Sequence, residues 1–177
     1  MRIRYPSKDE SEILADIGAE TFWDTYHTDS HLEQSYIKSY INSAFTSENI
    51  ALELGKESFV YLLAENEQET IGYARILIGN TRKEISGKLS VEISRIYLRK
   101  RYWGKKLGLV LLERCFDEAR KTNADVIWLS VWKYNERAIK FYKKFGFKIV
   151  GEHIFDLAGS SQTDFLMERK VSENDSK

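Results

Sequence analysis

The chain has 177 residues, of which 42% are hydrophobic and 31% are charged, and this composition fits one globular domain with a sizeable core. Its 27 basic and 27 acidic side chains give a formal net charge of +0, which argues against a general nucleic-acid binder. The single cysteine, Cys115, excludes an internal disulfide and favours a reducing compartment.

The sequence also argues against membrane and metal binding. No apolar stretch is long enough to span a bilayer, and the first six residues lack the apolar core of a signal peptide. We therefore expect a cytoplasmic protein. His27, His31 and His153 lie far apart, without a cysteine or carboxylate at zinc-site spacing, so we expect no metal. A homodimer is compatible with the sequence, which leaves the oligomeric state open.

The first elements of the chain are predicted to be one strand and two helices. Residues 3–5 form a short strand that stops at Pro6, and Ser7 with Glu10 has the pattern of a capping box that opens the first helix. Apolar side chains at three-and-four spacing predict a second helical region from about residue 30 to 45. Its apolar face is formed by Leu32, Tyr36, Ile37, Tyr40 and Ile41.

The rest of the chain is predicted to contain helices and further strands. In order, these are a short helix capped by Thr46 or Ser47, a hairpin of strands at 59–65 and 70–78, a strand at 91–98, a helix at 107–121, a strand at 126–132, a helix capped by Asn135, and closing strands near 147–155 and 163–171. Helices that interrupt a sheet of about seven strands make a mixed α/β domain. We expect one domain over residues 1–171, followed by a polar tail at 172–177.

One short amphipathic helix combines a tyrosine with a capping asparagine. Its apolar and aromatic side chains recur at three-and-four spacing, namely Ala138, Ile139, Phe141, Tyr142 and Phe145. Asn135 suits the N-cap, and Gly146 suits the position after the helix. Alone, this pattern is typical of an ordinary core helix. A buried strand before it and a basic loop upstream, at residues 103–108, favour an enzyme.

With those neighbours, the chain resembles the GCN5-related N-acetyltransferase (GNAT) superfamily. The late helix of that family follows the pattern Asn-x-x-Ala-x-x-Phe-Tyr-x-x-x-Gly-Phe, and this chain matches every fixed position. The family's pyrophosphate loop, Arg/Gln-x-x-Gly-x-Gly/Ala, falls on Trp103 to Gly108, where Gly108 fits but Trp103 and Lys106 depart. An offset reading from Arg101 keeps Gly104 but puts Lys106 in the last small position. The resemblance implies a GNAT-like α/β domain that uses acetyl-CoA.

The basic loop has a physical reason to bind an anion. Lys105 and Lys106 stand in the first turn of a predicted helix, where acidic side chains are normally favoured. Cations beside free backbone N–H groups suit a phosphate, although a solvated basic turn is the alternative. The resemblance assigns this loop to the pyrophosphate of acetyl-CoA and the preceding strand end to its pantetheine arm. The cofactor-binding residues implied are Ile96, Tyr97, Leu98, Gly104, Lys105, Lys106, Leu107, Gly108, Leu109, Asn135 and Lys144.

Two residues are candidates for the chemistry of acetyl transfer. The resemblance makes Tyr142 the general acid that protonates the departing thiolate, because a phenol with a pKa of about 10 is protonated at neutral pH. A core tyrosine is the alternative. Glu92, among apolar residues of the strand before the loop, is the candidate base, since partial burial would raise its pKa. Because strand side chains alternate, an outward-facing Glu92 paired with a cation is equally compatible with the sequence.

The first 60 residues are acidic and could bind a cationic substrate. They hold 11 acidic and 5 basic residues, whereas the remainder holds 16 acidic and 22 basic residues. Scattered solvated charge explains this asymmetry equally well. The candidate substrate-binding residues, which would use ion pairs and cation–π contacts or else form a packed helix end, are Trp23, Asp24, Tyr26, Asp29 and Glu33. Residues 20–25 and 43–46 also resemble the N-terminal segment of PaiA-type spermidine/spermine acetyltransferases.

The sequence therefore predicts an acetyl-CoA-dependent N-acetyltransferase. A primary amine of a small cationic substrate, such as spermidine or spermine, would attack the thioester directly. A protein or peptide N-acetyltransferase is the alternative within the enzymes. A non-catalytic acyl-CoA-binding regulator is the alternative from another class. The altered loop leaves this alternative open, and the intact Tyr142 disfavours it. The physiological amine and the acyl-chain preference stay open.

Overall fold

The computed structural model describes residues 1–171, and the predicted polar tail at 172–177 lies outside the described residues. The strands are β1 (Arg2–Arg4), β2 (Phe59–Glu65), β3 (Thr70–Ile78), β4 (Ser90–Leu98), β5 (Val126–Trp132), β6 (Lys148–Leu157) and β7 (Ser160–Lys170). The α-helices are α1 (Ser11–Tyr26), α2 (Gln34–Ala44), α3 (Ser47–Glu53), α4 (Leu107–Lys121) and α5 (Glu136–Lys144). Short 3-10 turns at Lys8–Glu10 and Lys100–Tyr102 precede α1 and the loop before α4.

The strands of this region form one seven-stranded sheet in the order β1-β2-β3-β4-β5-β7-β6. Neighbouring strands are antiparallel except β4 and β5, which are parallel. The last strand, β7, inserts between β5 and β6, so it borders two strands that precede it in the chain. The predicted mixed α/β fold with about seven strands is confirmed.

Strands β4 and β5 separate after a short pairing. They are paired only from Ser90 opposite Val126 to Glu92 opposite Trp128, although β4 continues to Leu98. The pairing of β3 with β4 also skips Ser94, which forms a β-bulge. The sheet is therefore open between the C-terminal ends of β4 and β5.

Helices cover both faces of the sheet. Because side chains alternate along a strand, Leu62 of β2 packs in the core cluster of α4, whereas Leu63 packs in the cluster of α1. Cys115 of α4 is completely buried in the first cluster, and burial raises the pKa of its thiol. Cys115 is therefore a packed core residue of α4. No helix among residues 1–171 is both long and apolar enough to cross a membrane.

Local capping interactions explain some of the helix boundaries. The capping box of Ser7 and Glu10 is present, and the Thr46 side chain accepts a hydrogen bond from the N–H of Asn49 at 3.2 Å. The predicted start of the second helix near residue 30 is wrong, since α2 begins at Gln34. The Asp29 carboxylate accepts a hydrogen bond from the N–H of His31 at 2.9 Å, which holds a turn in place of helix.

Candidate active site

Two adjoining hollows lie at the opening between β4 and β5. The first, here the α4–α5 groove, has a volume of about 580 Å³ and runs along the end of β4, the start of α4 and one side of α5. The second, here the β4–β5 cavity, has a volume of about 200 Å³ and lies between the separated strands, α1 and α2. Ile96, Arg137, Ala138 and Tyr142 line both hollows. Groups bound in the two hollows would therefore meet at this shared wall.

The loop at the mouth of the groove presents free backbone donors. Within residues 1–171, no backbone N–H from Gly104 to Gly108 donates a hydrogen bond to a protein atom. These donors lie at the N-terminus of α4, where the helix dipole favours an anion. Lys106 adopts a left-handed conformation with φ of 61°, which glycine adopts most readily. This conformation supports the alignment that places a family glycine at position 106.

The predicted cofactor residues divide between the two hollows. The α4–α5 groove is lined by Ile96, Leu98, Gly104, Lys106, Leu107, Gly108, Leu109 and Lys144. Tyr97 and Asn135 instead line the β4–β5 cavity. Lys105 lines neither, and its ammonium lies 5.0 Å from the centre of the Tyr102 ring. Free loop donors beside an apolar groove fit the diphosphate and pantetheine parts of coenzyme A.

Tyr142 has a packed ring and a hydroxyl group without a hydrogen-bond partner among the described residues. Its side chain is 7% exposed, and its ring centre lies 5.3 Å from that of Phe141 and 5.6 Å from that of Phe147. The hydroxyl group makes no hydrogen bond with any other described residue. Burial raises the pKa of Tyr142 above its ordinary value, so the phenol is protonated at neutral pH. The residue therefore serves the core and also supplies a proton donor to the shared wall.

Asn135 is the N-cap of α5, as the sequence predicts. Its side-chain oxygen accepts a hydrogen bond from the N–H of Ala138 at 3.2 Å. Gly146, just after the helix, has φ of 83°, which fits its predicted place at the helix end. These two local signals fix both ends of α5 and so orient Tyr142.

Sequence reasoning missed Asp164, a carboxylate in the wall of the β4–β5 cavity. Asp164 lies on β7 opposite Trp132 of β5 and is 7% exposed. Burial raises its pKa to about 6, against a hydrogen bond from Ser130 that favours the charged form. A carboxylate beside the apolar run Phe165-Leu166-Met167 of a predicted strand was the available signal.

Glu92 does not lie in the wall of either hollow. Its carboxylate accepts a hydrogen bond from the side-chain amide of Asn80. Burial raises the pKa of Glu92, while the Asn80 hydrogen bond opposes that shift. The predicted direction of the pKa shift is therefore present, but the side chain is placed away from the shared wall.

Of the predicted substrate residues, Tyr26 lines the β4–β5 cavity, whereas Trp23, Asp24, Asp29 and Glu33 do not. Trp23 stacks on His27, with ring centres 5.0 Å apart. Asp29 binds His31, whose ring lies 6.2 Å, edge-on, from the Trp132 ring in the cavity wall. Asp29 is thus connected to the cavity wall through His31 and Trp132 without lining the cavity itself.

Part of the acidic excess in the first 60 residues is neutralised by arginines. Glu10 pairs with Arg4 at 2.6 Å, Glu53 with Arg75 at 2.9 Å, and Glu20 with Arg99 at 3.2 Å. Two of these three arginines come from the basic remainder of the chain. The charge asymmetry of the sequence therefore does not translate directly into one acidic surface.

The β4–β5 cavity also contains a buried cation. Arg95 is 7% exposed, and its Nη2 donates a hydrogen bond to the carbonyl oxygen of Ala44 at 3.0 Å. Its guanidinium lies 4.5 Å from the centre of the Phe45 ring. Within the described part of the chain, Arg95 pairs with no carboxylate, and its Nη1 has no hydrogen-bond partner.

Among residues 1–171, no group of three or more His, Cys, Asp or Glu side chains could hold a metal ion.

Comparisons with known proteins agree with this geometry. Residues 19–147 match the acetyltransferase (GNAT) family. An uncharacterized N-acetyltransferase of Lactobacillus delbrueckii subsp. lactis is 30% identical over 169 residues, which cover 96% of each chain. The spermidine N(1)-acetyltransferase of Thermoplasma acidophilum is 28% identical over 174 residues, which cover 96% of this chain and 97% of that one.

A solved structure with bound coenzyme A shares the fold. The PaiA N-acetyltransferase of Thermoplasma acidophilum in complex with coenzyme A superposes with a TM-score of 0.76 at 26% identity, covering 96% of this chain and 98% of that one. The coenzyme A bound in that structure is the molecule whose diphosphate and pantetheine parts fit the loop donors and the apolar groove of this chain. The chain therefore belongs to the GNAT family of acetyltransferases and is an N-acetyltransferase that uses acetyl-CoA.

Proposed function

We propose that the acetyl acceptor is a small cationic amine and that polyamines such as spermidine and spermine form its class. One observation carries this proposal: the buried carboxyl group of Asp164 lies in the wall of the β4–β5 cavity, which adjoins the cofactor groove. A carboxylate in that place can bind an ammonium group through a charge-assisted hydrogen bond. The similarity to the Thermoplasma spermidine N(1)-acetyltransferase supports the same class.

Acetyl-CoA would bind along the α4–α5 groove, with the loop at its mouth and the apolar side chains of its walls each binding one part of the molecule. Acetyl-CoA supplies an acetyl group activated as a thioester. The free N–H groups from Gly104 to Gly108 would bind its diphosphate, and the apolar side chains of Leu98, Phe141 and Phe145 would pack against pantetheine. The acetyl group would then belong at the shared wall, within reach of Tyr142.

Asp164 is the better placed of the two candidate bases. An alkyl amine with a pKa near that of lysine, about 10.4, is mostly protonated at neutral pH and cannot attack while charged. Asp164, with a pKa of about 6, is ionised at neutral pH and lines the cavity. It would hold the ammonium group, which must first lose one proton to solvent before its nitrogen can attack. As the new N–C bond forms, Asp164 would accept the second proton that the nitrogen loses. Glu92 would need a relay, because it lines neither hollow.

Tyr142 would complete the proton balance. As the C–S bond breaks, the sulfur gains the electron pair, and Tyr142 would donate its phenolic proton to it. Asp164 then carries a proton and Tyr142 lacks one, so exchange with solvent restores both before the next turnover. Because the Tyr142 hydroxyl has no partner among the described residues, it can donate to sulfur without breaking another hydrogen bond.

The acidic residues outside the cavity would act at longer range. We propose that Asp24, Asp29 and Glu33 attract the distal charges of a polyamine, while Trp23 and Tyr26 offer aromatic faces to its ammonium groups. Such residues would lower KM without contacting the reacting amine.

One observation favours a second acceptor class. Arg95 lines the β4–β5 cavity with no carboxylate partner among residues 1–171, so it could bind an anionic group of the acceptor. An amine that carries a carboxylate, such as an amino acid, would pair with both Arg95 and Asp164. Protein or peptide acceptors form the third class to be tested.

The test is a panel of amines assayed for release of free thiol from acetyl-CoA. The panel contains spermidine, spermine, a monoamine, an amino acid and a lysine-rich peptide. The proposal predicts the highest kcat/KM for the polyamines. A higher value for the amino acid would instead assign the cavity to the second class, and a higher value for the peptide would assign it to the third. If no amine of the panel raised thiol release above background, the result would favour the non-catalytic regulator.

A further inference from the structure

Arg137, in the first turn of α5, lies flat against Trp103 of the loop before α4. Its guanidinium carbon is 3.4 Å from the centre of the Trp103 ring. Arg137 is solvent-exposed, yet within the described residues it pairs with no carboxylate and makes no hydrogen bond. Its charge is therefore held at a defined place without a protein anion to neutralise it.

Trp103 is a fixed platform for this stack. The indole N–H donates a hydrogen bond to the carbonyl oxygen of Leu98 at 2.7 Å, and the backbone N–H of Trp103 donates to Lys100 at 3.1 Å. A guanidinium that stacks through its face keeps its N–H donors free at the edge. This fork geometry matches the oxygens of a phosphate group.

The stack of Arg137 on Trp103 lies beside the loop at the mouth of the α4–α5 groove. Trp103 immediately precedes the free N–H groups of Gly104 to Gly108, and both Trp103 and Arg137 line the α4–α5 groove. The loop's own cations are less available, because Lys105 is directed to Tyr102 and only Lys106 lines the groove. The residue at position 103 is also where the loop pattern calls for arginine or glutamine.

We propose that Arg137 binds the diphosphate of coenzyme A and that Trp103 is the residue that positions it. Trp103 occupies the loop position where the family pattern has arginine or glutamine. Arg137 of α5 would therefore supply the cation that the loop lacks at this position. Since Arg137 also lines the β4–β5 cavity, it links cofactor binding to the wall where the acetyl group is transferred. This inference depends on acetyl-CoA as cosubstrate and not on the identity of the amine.

Calorimetric titration of the purified full chain tests the assignment through binding alone. The probes are CoA, dephospho-CoA, which lacks the 3′-phosphate, and pantetheine, measured by displacement of CoA. Arg137→Gln should raise the Kd of both CoA and dephospho-CoA about tenfold, the scale of a lost charged hydrogen bond. The displacement constant of pantetheine should change by less than about twofold, because pantetheine has no phosphate. Lys140→Gln is the matched control, since Lys140 is a cation of the same helix that pairs with Glu136 and lines neither hollow.

Trp103→Leu tests the positioning role. It should weaken CoA binding by itself, and the Trp103→Leu/Arg137→Gln double variant should bind about as weakly as Arg137→Gln alone, because both changes remove one stacked guanidinium. Additive losses would overturn the role of Trp103. An unchanged Kd in Arg137→Gln, a loss confined to CoA, or an equal loss with pantetheine would overturn the diphosphate assignment. Failure of the wild-type chain to bind CoA would instead contradict its use of acetyl-CoA.

Discussion

His153 of β6 lies directly opposite Asp164 of β7, and its Nε2 atom is 3.9 Å from the Asp164 carboxylate. The two groups are close enough for an ion pair, but burial lowers the pKa of His153 and raises that of Asp164 to about 6. Both shifts favour the neutral forms. We therefore interpret the contact as a neighbouring acid and base whose environments both favour the uncharged forms, rather than as a salt bridge.

Asp164 should make the folded protein less stable as pH rises through the acidic range. Its pKa of about 6 in the folded state exceeds the ordinary value of 3.8. Between these values the folded chain binds the proton more strongly than the unfolded chain, so the free energy of unfolding falls by about 3 kcal/mol and then stays level. Asp164→Asn should remove this decline. The free energy of unfolding of the variant should therefore exceed that of the wild type above pH 6 and be similar to it near pH 4. Urea unfolding at pH 4, 5, 6 and 7 measures the difference, and parallel curves would contradict it.

The same pKa should appear in the rate. If Asp164 is the base, kcat/KM falls as pH drops below about 6, because the protonated carboxyl group cannot accept a proton. Asp164→Asn should lose this acidic limb and retain a low, flatter rate. Glu92→Gln is the matched control, since Glu92 also has a raised pKa but lies outside both hollows. Loss of the limb in Glu92→Gln but not in Asp164→Asn would transfer the role to Glu92.

Elements that depend on local signals could be predicted from the sequence. Asn135 and Gly146 delimit α5 by capping chemistry alone, and the apolar spacing of 107–121 gives α4 at the predicted residues. Asp164 could not be assigned a role in this way. Its position beside Trp132 depends on the insertion of β7 between β5 and β6, which is a long-range choice of strand order. The stack of Arg137 on Trp103 likewise joins two segments that are separate in the sequence.

Tyr142→Phe separates the packing role of this residue from its chemical role. The ring contacts are kept, and the lost hydroxyl has no hydrogen-bond partner among residues 1–171, so stability should stay near that of the wild type. Turnover should fall by roughly 10² or more, the scale of general acid–base catalysis. Tyr73→Phe is the control, because the Tyr73 hydroxyl is buried without a partner but lines neither hollow. Equal turnover in the two variants would return Tyr142 to a purely structural role.

The carboxylates outside the cavity should affect polyamines more than monoamines. Replacing Asp24, Asp29 and Glu33 together by their amides should raise KM for spermidine and leave KM for a monoamine nearly unchanged, because only the polyamine has distal charges to attract. The spermidine effect should shrink as ionic strength rises, since salt screens exposed charges. Steady-state kinetics at low and high salt measure both effects. A similar response of the two substrates would show that these carboxylates are merely solvated.

We propose that Asp164 selects a cationic acceptor beside the point of acetyl transfer. The most direct test compares kcat/KM for spermidine and for a monoamine, with acetyl-CoA saturating, in the wild type and in Asp164→Asn at pH 7.5. We predict that the wild type prefers spermidine and that Asp164→Asn lowers kcat/KM for both amines by about tenfold or more, as expected for a lost charged contact to the reacting ammonium. Undiminished spermidine acetylation in Asp164→Asn, or a wild type that prefers the monoamine, would contradict this role of Asp164.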